Sequence, residues 1–427
     1  MKKKLVCLLM GMLLLSLGAC SNKDTSSISL SETSQTAETT ESVETSQIIE
    51  TAAPDEMQEN AISAPPDGSQ MTPEPEIEKP QFVSDRSEAF ALVSDMTEGW
   101  NLGNTFDAFG AGNTLSSETT WGNPKTTREM IDAIAQKGIN TIRIPVTWAE
   151  HMDATLNGYV VNDKWMDRVA EVVDYAMNDG MYVILDTHHE TEFWLETDVS
   201  REDKITARFV DLWEQIATRF AGYDDHLLFE GLNEPRLKGS AAEWNGGTKA
   251  ERDMINHLNH AFVDTVRSVP GNEKRFLVIC PYGNSPNMNA LKELEIPDDN
   301  NILVAVHMYT PYYFTYEDSG SYSNWDSSRK AEIVNTVKQL DKFFLSNDVP
   351  VVITEFGAMN KNNEEDVLRW LDDYLSTMNK YGIKCVWWDN GIYDTNGEKF
   401  AIFNRNDLTW YSENIVNKLV EMSSRNE

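Results

Sequence analysis

The chain runs to 427 residues, too long for one average domain and long enough for one large barrel with extra segments. Its 36 basic and 69 acidic residues leave a formal net charge of −33, which excludes nucleic acid as a partner and disfavours an anionic polysaccharide, whereas a neutral polymer meets no such repulsion. Hydrophobic residues make up 41%, enough for a sizeable core, and the 12 tryptophans suit either core packing or stacking on flat ligand faces.

Lys2, Lys3 and Lys4 open the chain, and an apolar run from Leu5 to Leu17 follows, too short to span a membrane. Leu17-Gly18-Ala19-Cys20 then resembles a bacterial lipobox, so residues 1–19 read as a lipoprotein signal peptide, with cleavage before Cys20 and lipid on its sulfur. The expected location is the extracellular face of a bacterial membrane, with the lipid as anchor. Residues 20–80 are Ser, Thr, Glu and Pro with few large apolar side chains, and the 60 after Cys20 carry 13 acidic against 2 basic residues. Such a segment cannot bury enough apolar area to fold, and it reads as a disordered, self-repelling tether.

From residue 81 short apolar runs alternate with amphipathic stretches. Eight strand candidates appear in order: 99–104, 139–146, 181–187, 227–233, 275–281, 301–307, 350–356 and 383–389. Between them lie helical patterns such as TREMIDAIAQKG, with Gly138, Gly180 and Gly382 where helices should stop. Apolar strands alternating with helices eight times predict an α/β fold, a closed parallel (β/α)₈ barrel over 81–427. Cys280 and Cys385 fall in apolar runs and read as buried free thiols, and no Cys/His spacing points to a structural zinc site.

Chemistry in such barrels sits at the C-terminal ends of the strands. Here those ends carry Asn101 and Asn104, Arg143, His188 and His189, Asn233 and Glu234, His307 and Tyr309, Glu355, then Trp388 and Asp389. Three of these are carboxylic acids, and two of them, Glu234 and Glu355, stand on strands four and seven, which face one another across a barrel mouth. Glycoside cleavage needs two carboxyl groups flanking one bond. As a general acid, Glu234 needs a raised pKa from burial or a like-charged neighbour, while Glu355 must stay ionised as a nucleophile. Arg143 and the Tyr309 hydroxyl are candidates for keeping it so.

Gly231-Leu232-Asn233-Glu234-Pro235 resembles the Asn-Glu-Pro signature of glycoside hydrolase family 5, and Ile353-Thr354-Glu355-Phe356-Gly357 its nucleophile strand. Gly99-Trp100-Asn101-Leu102-Gly103-Asn104-Thr105 and Trp121-Gly122-Asn123-Pro124 resemble the endoglucanase and xyloglucanase branch. The resemblance, over about residues 85–420, implies a retaining endo-β-1,4-glucanase without a cofactor or metal. It makes Glu234 the acid/base and Glu355 the nucleophile. Asn233 then bonds the sugar 2-hydroxyl, Arg143 and Tyr309 position Glu355, and His188 and His307 line the site. Trp388 becomes the floor for the reacting sugar, with Trp387 turned away by strand alternation, and His189 meets the neighbouring sugar. Asn101 and Trp121 complete the expected substrate-binding set.

Other residues carry blander expectations. Glu230 reads as a buried structural carboxylate, and Glu190 and Glu192 as surface or substrate-edge groups. His257 and His260 form a solvated helix face. Trp121, Trp194, Tyr313 and Trp325 are candidate sugar platforms in loops. Asp186, His188 and His189 also suggest a metal-dependent barrel hydrolase, but no second ligand cluster accompanies them. A non-catalytic glycan-binding lipoprotein would be expected to lack one of the two glutamates, and both are present. The expected partner is a neutral β-glucan (cellulose-like, mixed-linkage or xyloglucan), with mannan and xylan as alternatives, cleaved by a monomer.

Overall fold

In the computed structural model all eight apolar runs become strands, each a little shorter than its run. The structure describes residues 84–156, 158–317, 322–395 and 397–424, so the expected signal peptide, Cys20 and the tether lie outside the described residues. The strands are β1 (Gly99–Asn101), β2 (Thr141–Ile144), β3 (Tyr182–Asp186), β4 (Leu227–Glu230), β5 (Leu277–Ile279), β6 (Ile302–His307), β7 (Val351–Phe356) and β8 (Lys384–Trp387). All pair in parallel, and β8 returns to β1 to close the barrel in the order 1-8-7-6-5-4-3-2. Closure leaves no sheet edge, and each strand presents one side to the barrel interior and the other to the helices.

The helices cover the outside with apolar stripes. Those used below are α1 (Ser87–Asp95), α2 (Arg128–Gln136), α3 (Asp163–Asn178), α4 (Glu202–Arg219) and α5 (Lys249–Ser268). On α4, Ile205, Phe209, Leu212, Trp213 and Ile216 are buried at three- and four-residue spacing, the pattern of one helix face. A capping box of Thr248 and Glu251 starts α5 and so fixes where the loop after β4 ends. Gly138, Gly180 and Gly382 all have positive φ, as expected of the residue just past a helix end. α1 precedes β1 and lies at the end of the barrel where strands begin, since Asn140 in front of β2 bonds both Asp95 and Thr97. Cys280 and Cys385 are buried free thiols.

Candidate active site

The polar strand ends converge on one fully buried cation. Arg143 donates from Nε to Glu230 (2.5 Å), from Nη1 to Glu355 (2.7 Å) and Asn101 (3.2 Å), and from Nη2 to Asn233 (2.9 Å) and Asp186 (2.7 Å). Burial alone would lower its pKa, but the charges of Glu230, Asp186 and Glu355 outweigh that and hold it charged. Asn101 corrects an expectation. Its amide donates to the carbonyls of Thr354, Val386 and Trp387, its oxygen accepts from Arg143, and it has no exposed surface for a ligand. It positions Arg143, and Arg143, equally enclosed, positions Glu355. Glu230 is the buried structural carboxylate foreseen from sequence.

Glu355 reaches this cation through a break in strand register. Val306 of β6 pairs with Ile353, but His307, the next residue, pairs with Glu355. Toward β8, Cys385 pairs with Ile353 and Trp387 with Phe356, so β7 carries one extra residue on both sides. Neighbours in a regular strand face opposite sides, and a bulge suspends that rule. Thr354 therefore bonds Glu230 inside the barrel (3.2 Å) while Glu355 accepts from Arg143 and from the Tyr309 hydroxyl (3.0 Å).

Glu234 stands beyond the end of β4 with φ of 45°, a left-handed conformation held by a 2.7 Å bond from its N–H to Asn284 Oδ1. Its Oε1 is 3.0 Å from His307 Nδ1, and that nitrogen is 3.5 Å from Glu355 Oε2. One oxygen of each glutamate and the His307 nitrogen all lie within 4.8 Å of one another. The expectation of a raised Glu234 pKa is not met in this unliganded geometry. Burial pushes it up, but the hydrogen bond and charge of His307, followed by the Arg236 charge, bring it down to about 2. Burial likewise pushes His307 down, and the charges of Glu355 and Glu234 reverse the direction. The mobile proton thus rests on the histidine side of a pair that titrates as a unit. His307 Nε2 is buried and has no partner among the described residues, so the imidazolium leaves one N–H unsatisfied there. That keeps the proton's transfer to Glu234 within reach.

His188 is neutral, lowered to about 3 by burial and then by the Arg143 charge, and its Nδ1 meets Asp186 at 2.8 Å. Its ring lies parallel to Trp388, centroids 5.6 Å apart. Trp388 lies against Gly103, where a Cβ would come within 2.8 Å of the indole, so only glycine allows this approach. Asn123 ties the same region together by donating to the carbonyls of Gly103, Asn104 and Asn390. Trp387 turns outward into the core beside Phe356 and Trp370, as alternation requires.

His189 sits beside Phe109 and Trp121, with Phe193 against Phe109, forming an aromatic cluster at one side of the mouth. The Asn233 oxygen accepts from Arg143, and no group among the described residues takes up its amide N–H groups, which leaves them for a ligand. Two candidate platforms are corrected: Trp194 is 4% and Trp325 6% exposed, both packed in the core, while Tyr313 is exposed. Glu190 is corrected too, because it is buried and accepts from the backbone N–H groups of Trp148 and Ala149 and from Trp194 Nε1. His257 is exposed and pairs with Glu202. Sequence reasoning passed over Arg236, Glu398 and Asp107. Arg236 could have been noticed as a cation two residues from Glu234. Glu398 accepts from the Tyr316 hydroxyl, and Asp107 is buried 3.8 Å from His189, contacts that depend on loop paths no periodicity encodes.

Residues 103–394 match the family model described as cellulase, glycosyl hydrolase family 5. Endoglucanase A of Ruminococcus albus is 47% identical over 339 residues, 78% of this chain and 92% of that protein. A family 5 xyloglucan-specific endo-β-1,4-glucanase from a metagenomic library, solved with cellotriose, is 51% identical with a TM-score of 0.77, covering 79% of this chain and 99% of that one. A broad-specificity endoglucanase from Clostridium longisporum is 41% identical with a TM-score of 0.76, covering 81% and 100%. With a closed barrel, a matching family model over most of the chain and close relatives along nearly all of its folded part, the protein belongs to glycosyl hydrolase family 5.

Proposed function

We propose that the protein cleaves neutral β-1,4-linked glucan chains internally and with retention of configuration. The observation that carries this reading is the pair Glu234 and Glu355, whose nearest ligating oxygens approach within 4.8 Å. Retaining glycosidases hold their two carboxyl groups about 5–5.5 Å apart, whereas inverting ones need roughly 6.5–9.5 Å to admit a water. Glu355, fixed by Arg143 and Tyr309, attacks the anomeric carbon as the glycosidic C–O bond breaks. Glu234 protonates the departing oxygen, drawing on the proton shared with His307. In the second step Glu234 takes a proton from water, the water oxygen bonds the anomeric carbon, and Glu355 leaves as carboxylate. Asn233 serves the 2-hydroxyl of the reacting sugar and Trp388 its apolar face, with His188 beside them. Trp121 and His189 extend the platform to the next sugar.

Aromatic groups on both sides of the carboxylates fit an open groove. Trp121 and Phe193 lie on one side, and the exposed Tyr312, Tyr313 and Trp244 lie in the loops after β6 and β4. The relatives' xyloglucan and broad-specificity activities support cellulose-like chains, mixed-linkage glucan and xyloglucan as the substrate class. On a panel of these with xylan and mannan, solution viscosity should drop well before reducing ends accumulate, the first product should be the β-anomer, and a chelator should change nothing. Early α-anomer, a single short product from the start, or exclusive action on xylan or mannan would each contradict the reading.

We further infer an exported monomer anchored through lipid on Cys20, a reading supported by the lipobox-like Leu17-Gly18-Ala19-Cys20. Cys20→Ser should move the protein from the membrane fraction to the soluble one without altering turnover on soluble glucan. Retention in the membrane would refute the anchor.

A further inference from the structure

The loop after β4 carries a linked set of groups outside the ring of strand ends. Arg236 donates from Nη1 to the Glu234 carbonyl at 2.9 Å and to Glu234 Oε2 at 3.3 Å. Its Nε donates to Glu243 Oε1 at 3.2 Å, and Glu243 in turn accepts the Gly239 N–H at 2.8 Å. The guanidinium carbon lies 4.5 Å from the centroid of Trp244, whose ring covers it. The Arg236 side chain is only 14% exposed, while Trp244 is 64% exposed. Each oxygen of Glu234 thus has its own cation, His307 on Oε1 and Arg236 on Oε2.

We propose that Arg236, clamped between Glu243 and the Trp244 ring, is a positioning residue that aims Glu234 and sets how readily it exchanges its proton. This rests on the reading of Glu234 as acid/base. A flexible side chain two residues from a catalytic group would be a poor guide, but stacking on an indole and a second carboxylate remove most of its freedom. Backbone and carboxylate of Glu234 are gripped by the same nitrogen, which ties the direction of the side chain to a main chain already in a left-handed conformation.

The sign of the electrostatic effect follows from the groups around Glu234. His307 on β6 and Arg236 on its own loop favour its carboxylate form, while His188 after β3 stands nearby as a neutral imidazole. Glu355 at β7 and Glu398 in the loop after β8 are anionic neighbours, and the Tyr309 and Tyr316 hydroxyls adjoin them. Removing Arg236 deletes a cation from this balance, so the acid holds its proton to higher pH and the alkaline limb of kcat/KM moves up.

The test compares Arg236→Gln, Arg236→Lys and Trp244→Ala with the parent, full-length, across pH. Two substrates are used, a cello-oligosaccharide and a dinitrophenyl β-cellobioside whose leaving group needs no proton. Arg236→Gln should shift the alkaline limb upward by about half a unit or more and lose about tenfold on the oligosaccharide, with a loss of less than about threefold on the activated glycoside. Arg236→Lys should restore the limb toward its parental position. Trp244→Ala, at an exposed site that leaves folding intact, should shift it in the same direction by less. An unmoved limb with equal losses on both substrates would overturn the proposal, as would a parental profile for Trp244→Ala. Glu234→Gln is run alongside. If it turns over the oligosaccharide normally, the acid/base assignment itself fails, whatever Arg236 does.

Discussion

Glu355→Gln should stop glucan cleavage almost completely, with a loss of about 10³-fold or more in kcat, because the amide keeps the shape and loses the nucleophilic charge. Folding should survive, since the amide oxygen can still accept from Arg143 and the Tyr309 hydroxyl can rotate to accept from the amide nitrogen. Glu234→Gln should cost about 10²–10⁴-fold on unactivated chains. A 2-deoxy-2-fluoro cellobioside with a good leaving group slows the second step, so peptide mapping should find the sugar esterified to Glu355. A label on any other carboxylate, or more than about a tenth of parental activity in either variant, would sink the assignment.

Arg143→Met should unfold the site and much of the barrel's stability with it. The guanidinium is the common partner of Asp186, Glu230 and Glu355, and all three are buried. Breaking a buried ion pair by removing one member typically costs about 3–5 kcal/mol, because an uncompensated charge stays behind. Burial already raises Asp186 to about 6, against the lowering pull of Arg143, and raises Glu230 too. Without the cation both rise further. The folded state then binds protons that the unfolded state releases, and stability falls as pH rises through that range. Urea midpoints of variant and parent should therefore differ most near pH 7.5 and draw together near pH 5. A gap that is absent, or that widens on acidification, would show the cluster does not depend on Arg143.

Much of the architecture was legible because buried parallel strands are short uninterrupted apolar runs, and eight of them in alternation with helices leave few alternatives to a closed barrel. The strand-end rule then singled out Glu234 and Glu355 without any knowledge of their contacts. What escaped was whatever departs from regular periodicity. Period two puts Thr354 and Glu355 on opposite faces, and only the bulge brings both inside. Trp194 and Trp325 look like Trp121 and Tyr313 in a sequence, but the loop path decides that the first two are core. Glu190 is similar, a carboxylate enclosed by the backbone it caps. The direction of the Glu234 shift depended on His307 standing between two carboxylates, a distance of 3.0 Å that no spacing in the chain announces.

The left-handed backbone at Glu234 has a consequence for anyone improving this protein. That conformation costs a side-chain-bearing residue about 1–2 kcal/mol, and glycine occupies it freely. The backbone here therefore favours glycine, while the pairing of the side chain with His307 and Arg236 favours the glutamate. A library screened for heat resistance alone weighs only those two against each other and puts no value on the chemistry. Selection for hardiness and selection for turnover diverge at a single codon, so any directed evolution of this barrel has to score both at once.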